Sequence, residues 1–357
     1  MIARLLTALL LSSSARAAVL PSGDKGGADI VVVNGDTFSG TYTNVGHFSV
    51  PAGVTCFVAS LVSGPNLAVY AATVTIAGTI NGVGRGQPGG GGGAVASAGS
   101  GGTGGGPSGA GNSAAGIATK GGGGGGGGAA GGVGAGDSGG GVGAAGGSAY
   151  GSTGTITSPM SADDLFQGSG GGGGGGNVNA SGGPGASGGA AIYIEAASMT
   201  VTGTILVDGS TASAVSFGSN ATNPGGGGGG GGGTILLRVT GTLTLADGSQ
   251  LSAKGHGGGN VDSTFARPDK APGGGGGGGR IKLFYGAAAF GSVILSTEAG
   301  VAGGKDAGFV GSIDASTPPA AGAVGSVSFG VVASSPALFA VSSVHPSSID
   351  WTWSAAP

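Results

Sequence analysis

The sequence is poor in charge, aromatic residues and cysteine. Only 8% of its 357 residues are charged, against about 25% in an average globular protein, and 5% are aromatic. The net charge is −3 and no basic patch occurs, which argues against nucleic acid as a partner. The single cysteine, Cys56, excludes an internal disulfide. It lies in an apolar run, which favours a small buried hydrophobe over a nucleophile.

Glycine takes the place of the missing residue types. There are 94 glycines, yet hydrophobic residues still make up 39% and mean hydropathy is +0.32. Disordered chains combine low hydrophobicity with high charge, so disorder throughout does not fit. Uninterrupted runs such as Gly121–Gly128 exclude the strict Gly-X-Y repeat of collagen.

Residues 1–17 have the pattern of a secretory signal peptide. Arg4 supplies the positive charge, Leu5–Leu11 the apolar stretch, and Ala15-Arg16-Ala17 a small-residue cleavage site. The stretch is too short to span a membrane, which takes about 20 apolar residues. The pattern predicts an exported protein that begins near Ala18 and has no membrane span once the signal is removed.

The segments between the glycine runs predict short strands. In Thr73–Ile80, apolar Val74, Ile76 and Ile80 alternate with threonines, the period of two that marks a half-buried strand. Glycine runs then begin at residues 121, 170, 225 and 273, at intervals of 49, 55 and 48 residues, and strand-like segments follow the later ones. Such a repeat indicates a stacked architecture, and no helical period is evident. We therefore predict an all-β fold, a parallel β-helix (solenoid) over residues 18–310.

The glycine runs, which start at Gly121, Gly170, Gly225 and Gly273, admit two interpretations. They could be flexible linkers. Alternatively they form a polyglycine II bundle, in which three-residue turns point N–H and C=O groups sideways at neighbouring runs. The runs are almost pure glycine, abut strands and repeat in step with them. These features favour the bundle, and they require the four runs to lie side by side.

Residues 29–310 resemble glycine-rich, secreted bacterial surface proteins with a right-handed β-helix. The resemblance is carried by Ser49-Val-Pro-Ala-Gly-Val-Thr, Thr75-Ile-Ala-Gly-Thr-Ile-Asn-Gly-Val-Gly-Arg-Gly and Gly279-Arg-Ile-Lys-Leu-Phe-Tyr. The glycine runs are also similar to those of T-even-type phage tail adhesins, whose polyglycine II sandwiches carry receptor-binding loops. The signal peptide argues against a virion protein.

The C-terminal part differs in composition. Residues 311–336 are predicted to be a linker. Residues 337–357 resemble the opening strands of a fibronectin type III-like module, since Ile349, Trp351 and Trp353 alternate with polar residues. The alternative is that the two tryptophans cap the end of the β-helix.

Candidate site residues are few. The acidic pair Asp163/Asp164 is more typical of a solvated loop than of calcium binding or acid–base work. Loop 254–270 carries the best candidates for binding, or for the active site of a polysaccharide lyase or hydrolase: His256, Asp262, Arg267, Asp269 and Lys270. Its charges are also those of any exposed loop. The sequence predicts no catalytic residues, metal site or cofactor.

The favoured function is a non-enzymatic structural or adhesive protein, extracellular on the bacterial cell surface. A rigid stalk would present loops 94–120, 129–168, 210–224 and 254–272 to surface glycans or envelope proteins, with self-assembly a further option. One alternative is the β-helical polysaccharide-active enzyme. The other is ice binding, suggested by threonine rows 73/75, 200/202/204 and 240/242/244, although threonine on an exposed strand face is common.

Overall fold

The structure is a computed structural model, and it describes residues 18–61, 63–94, 97–102, 120–136, 142–150, 165–176, 180–216, 224–262, 271–304 and 318–332. Within these ranges the protein contains strands and no helix. The strands are β1 Val19–Leu20, β2 Gly23–Asp24, β3 Ile30–Val31, β4 Thr37–Phe38, β5 Gly40–Val50, β6 Thr55–Val58, β7 Leu67–Ile76, β8 Thr79–Asn81, β9 Ala191–Val201, β10 Thr204–Leu206, β11 Val215–Ser216, β12 Thr234–Leu245, β13 Gln250–Ser252, β14 Val261–Asp262, β15 Arg280–Phe290, β16 Ile294–Ser296 and β17 Ser326–Val331.

Two parallel sheets organise the fold. The long sheet has the order β17-β15-β12-β9-β7-β5-β2, with β3 also paired to β5, and the short sheet has the order β1-β4-β6-β8-β10-β13-β16. Along the chain a long strand is followed by a tight turn and then by a short strand, as in β9 to β10 and β12 to β13. Glycine-rich segments then lead to the next long strand. The predicted all-β character is confirmed.

The core lies where the two sheets face each other. Its stacks are in register, as in Ile76, Val201 and Leu245 of the long sheet. The facing short sheet contributes Cys56, Ile80, Ile205 and Leu251, and all of these side chains are buried. The predicted alternation is confirmed in β7, where Val74 and Ile76 point inward. The prediction for Cys56 is also confirmed, because it is a buried free cysteine.

The first halves of β7, β9, β12 and β15 are buried on both faces. A second apolar cluster covers their outer side and includes Ala68, Tyr193, Leu236 and Phe284, with Leu165 packed against them. This explains why strands such as β12 begin with a continuous apolar run and become alternating only later.

The structure bears on one of the predicted domain boundaries, and the other two predicted segments lie outside the described residues. The interpretation of 311–336 as a linker is corrected, because it contains β17, which pairs with β15 over six residues from Arg280↔Ser326 to Tyr285↔Val331. The long sheet thus extends beyond residue 310. The predicted signal peptide, 1–17, and the predicted module, 337–357, lie outside the described residues.

Candidate functional site

The glycine runs hydrogen-bond to one another through their backbones. The central run, Gly225–Gly233, receives bonds from Gly122 and Gly125 of the first run. It donates to the second run and to the fourth. Its donors change neighbour in a repeat of three: Gly225, Gly228 and Gly231 donate to Gly175, Gly172 and Ser169; Gly226, Gly229 and Gly232 donate to Ala271, Gly274 and Gly277; Gly230 and Gly233 donate to Ser210 and Val207.

The carbonyl groups of the same run follow the same repeat. They accept from three further segments: Gly225, Gly228 and Gly231 accept from Gly183, Ala186 and Gly189; Gly226 and Gly229 accept from Gly122 and Gly125; Gly227 and Gly230 accept from Gly259 and His256. These N···O distances are 2.7–3.0 Å. The central run therefore has six backbone neighbours, and we call this assembly of glycine-rich segments the glycine layer.

The direction of the segments is mixed. From the start to the end of the central run, the residue numbers of its acceptors increase in segment 271–277 and decrease in segment 169–175. The run beginning at Gly170 is therefore antiparallel to the central run. The layer also includes segments that are not pure glycine, such as 183–189 and 253–259. Parts of all four predicted contact loops, 94–120, 129–168, 210–224 and 254–272, therefore hydrogen-bond within the layer.

Close packing explains why glycine is required there. A Cβ on Gly228 would lie 2.0 Å from the carbonyl oxygen of Gly123, and one on Gly231 would lie 2.2 Å from that of Gly126. Real Cβ atoms do not approach backbone this closely. At Gly257, on the surface of the layer, the nearest atom would be Val301 Cγ2 at 3.5 Å, an ordinary contact.

The two described residues of the predicted loop site, His256 and Asp262, lie on separate elements. His256 lies in the glycine layer, where its N–H bonds to Gly230 O at 3.0 Å and its Nδ1 lies 3.0 Å from Thr211 Oγ1. Asp262 ends β14, opposite Ser216 of β11. Arg267, Asp269 and Lys270 lie outside the described residues, as do Asp163 and Asp164. Residues 254–261 of the loop are buried or half-buried rather than an exposed tip.

A polar and aromatic cluster on the outer face of the long sheet was not predicted. Glu195 on β9 forms an ion pair with Arg238 on β12 and accepts a hydrogen bond from the hydroxyl of Tyr193. The ring of Tyr70 meets that of Tyr193 edge-on, with centroids 5.3 Å apart. Burial, and secondarily Glu195, raise the pKa of both tyrosines. Each charged residue is the fifth of its strand, a signal that aligning the repeats would have shown.

The outer face of the second half of the long sheet carries rows of hydroxyl groups. Ser49, Thr75, Thr200 and Thr244 stand in register on four adjacent strands. A second row contains His47, Thr73 and Ser198. The predicted rows are thus in part on one face, but Thr204 belongs to the short sheet, where it pairs with Thr79.

Comparisons with protein-family models, with curated proteins and with solved structures find no match for this chain. In the part of the chain that the structure describes, no three His, Cys, Asp or Glu side chains are grouped to hold a metal ion. The same residues include no helix that is long and apolar enough to cross a membrane.

Proposed function

We propose that the protein is an exported structural or adhesive protein of the bacterial cell surface. In this proposal a right-handed parallel β-helix, made of the two sheets, carries a polyglycine II bundle, which is the glycine layer. The two together form a rigid support that holds binding surfaces away from the cell.

The repeat of three around Gly225–Gly233 carries the proposal. A polyglycine II chain has 3 residues per turn and no internal hydrogen bonds, so every third N–H points at the same neighbour. The central run follows this rule for the segments 169–175 and 271–277. A flexible linker would leave these groups to water. A layer that fixes its backbone in this way suits a load-bearing support.

Export and surface location are tested together. The full chain is produced in a bacterial host, the cells are fractionated, and the N-terminus of the product is determined by mass spectrometry. We expect a product that begins near Ala18, lies outside the cytoplasm and is degraded when protease is added to intact cells. A chain that keeps Met1 and stays in the cytoplasm would refute the proposal.

A second candidate function, ice binding, is supported by the rows of hydroxyl groups on the long sheet. Strands in a sheet are about 4.8 Å apart, so Thr75, Thr200 and Thr244 form a regular array. Thermal hysteresis and ice-crystal shape test this candidate, with Thr200→Lys as the disrupting variant. Absence of both effects in the unmodified protein excludes it.

A further inference from the structure

A cleft of about 310 Å³ opens on the outer face of the long sheet, where the pairing of its strands is irregular. Strand register shifts here, between Tyr42 and Val45 in β5 and after Val239 in β12. Asn44, which lines the cleft, has a φ of 51°, a left-handed conformation that is uncommon for a residue other than glycine. An irregular backbone at a concave surface is a frequent feature of binding sites.

The lining of the cleft has a small-residue floor and a polar, aromatic wall. Four alanines line the cleft, and we call them its floor: Ala71, Ala72, Ala196 and Ala197, of which Ala71 and Ala196 also pack against the inner core. Tyr70, Glu195 and Thr240 also line it, and Arg238 is held beside it through its ion pair with Glu195. Small floor residues let a ligand approach the backbone, while the wall offers one aromatic ring with hydroxyl, carboxylate and amide groups.

The ion pair in this wall indicates whether the ligand is charged or neutral. The side chains of Glu195 and Arg238 are 23% and 26% exposed and neutralise each other, so the cleft has no excess charge to attract an ion. Carboxylate and guanidinium groups nevertheless accept and donate strong hydrogen bonds. A neutral ligand with many hydroxyl groups and an apolar ring face satisfies both the wall and Tyr70.

The length of the cleft indicates that the ligand is extended rather than compact. Its lining residues belong to four adjacent strands, β5, β7, β9 and β12, which span about 14 Å at roughly 4.8 Å per step. We propose that the cleft binds a linear, neutral oligosaccharide that lies across these strands. The inference goes beyond the scaffold proposal, because it depends on side chains of the long sheet and not on the glycine layer or on export.

Affinity electrophoresis of the purified full chain tests the inference, with four neutral polysaccharides as probes: dextran, mannan, xylan and laminarin. We expect at least one to retard the protein, with a dissociation constant that is unchanged by added salt. Polygalacturonate serves as the acidic comparison. If none of the four is bound, or if only polygalacturonate is bound and salt abolishes its binding, the inference is wrong.

Variants then locate the binding. Tyr70→Ala removes the ring, and we expect about a tenfold loss of affinity, since an aromatic contact of about 1.4 kcal/mol corresponds to that factor. Ala197→Trp fills the cleft from an exposed position and should abolish binding without disturbing the core. The matched control is Ala287→Trp, at an exposed alanine that does not line the cleft. If Ala197→Trp binds like the control, the ligand lies elsewhere and the inference fails.

The ion pair has its own control. Glu195→Gln should weaken binding severalfold, whereas Lys254→Gln breaks the other ion pair of the described residues, Lys254–Glu298, and should leave binding unchanged. Equal losses in the two variants would indicate a general effect on stability, and would contradict a role for Glu195 in contacting the ligand.

Discussion

A single methyl group in the glycine layer should be far more damaging than one at its surface. In Gly228→Ala the new Cβ would lie 2.0 Å from Gly123 O and 2.4 Å from Gly123 C. Ordinary contact begins near 3.4 Å, so one backbone must move by more than 1 Å. Both belong to segments held by hydrogen bonds of 2.8–2.9 Å, and such a movement breaks them.

The magnitude follows from those bonds. The bonds at risk are Gly228 N–H to Gly172 O, Ala186 N–H to Gly228 O and Gly172 N–H to Gly123 O. Each contributes about 1 kcal/mol net, and overpacking adds about 1–3 kcal/mol. We therefore expect Gly228→Ala to lower the free energy of unfolding by about 4–6 kcal/mol.

Gly257→Ala is the matched control in the same layer. Its Cβ would meet nothing nearer than Val301 Cγ2 at 3.5 Å, and its φ lies outside the left-handed region. Alanine restricts the unfolded chain, so the change should be neutral or stabilising by about 0.4–1 kcal/mol. Urea unfolding, combined with hydrogen exchange of peptides covering 225–233, measures both variants. A difference between them below about 1 kcal/mol would refute the close packing of the layer.

Three further predictions concern buried side chains. Burial raises the pKa of Cys56, Tyr150 and Tyr193 above their unfolded values of about 8.5 for the thiol and about 10 for the tyrosines, so the unfolded chain loses these protons first. The urea midpoint should therefore fall as pH rises above about 7.5, first through Cys56 and then through the tyrosines, and a midpoint at pH 10.5 equal to that at pH 7 would contradict this. Burial raises the pKa of Cys56 to about 12, so a thiol reagent should label it at pH 8 only after urea is added. The buried side chain of Asn66 forms three hydrogen bonds of 2.8–3.0 Å, with Ala59 O, Arg85 O and Ala191 N–H, so Asn66→Ala should lower the free energy of unfolding in urea by about 3 kcal/mol. The control Asn34→Ala loses one exposed hydrogen bond, from Thr55 N–H, and should cost less than about 1 kcal/mol.

The features that depend on residues close together in the sequence were predictable from the local pattern of residue types. The alternation in Thr73–Ile80 follows from the two-residue period of a strand, and the burial of Cys56 follows from its apolar run. The mutual contact of the glycine runs was also predictable, because buried N–H and C=O groups without side-chain partners must find other backbone.

The register between distant strands cannot be predicted from spacing along the chain, only from aligning the strand starts, and the outer-face cluster depends on it. Glu195 and Arg238 are 43 residues apart, and they meet only because β9 and β12 pair without offset at their first residues, Ala191↔Thr234. The spacing between repeats varies from 48 to 55 residues, so counting along the chain does not fix that offset. The same variation hid the position of β17, which follows no pure glycine run.

The direction of the glycine segments could not be predicted for a different reason. A chain without side chains makes equivalent sideways hydrogen bonds with parallel and antiparallel neighbours, so composition carries no signal of polarity. The structure uses both, and it recruits segments such as 253–259 that contain alanine, lysine and histidine at positions where a side chain has room. The need for glycine is therefore decided separately at each position, by whether a Cβ there would contact a carbonyl oxygen. Gly228 and Gly257 differ in this respect although both belong to the glycine layer, so it is local contact rather than the length of a run that determines which glycines the layer cannot replace.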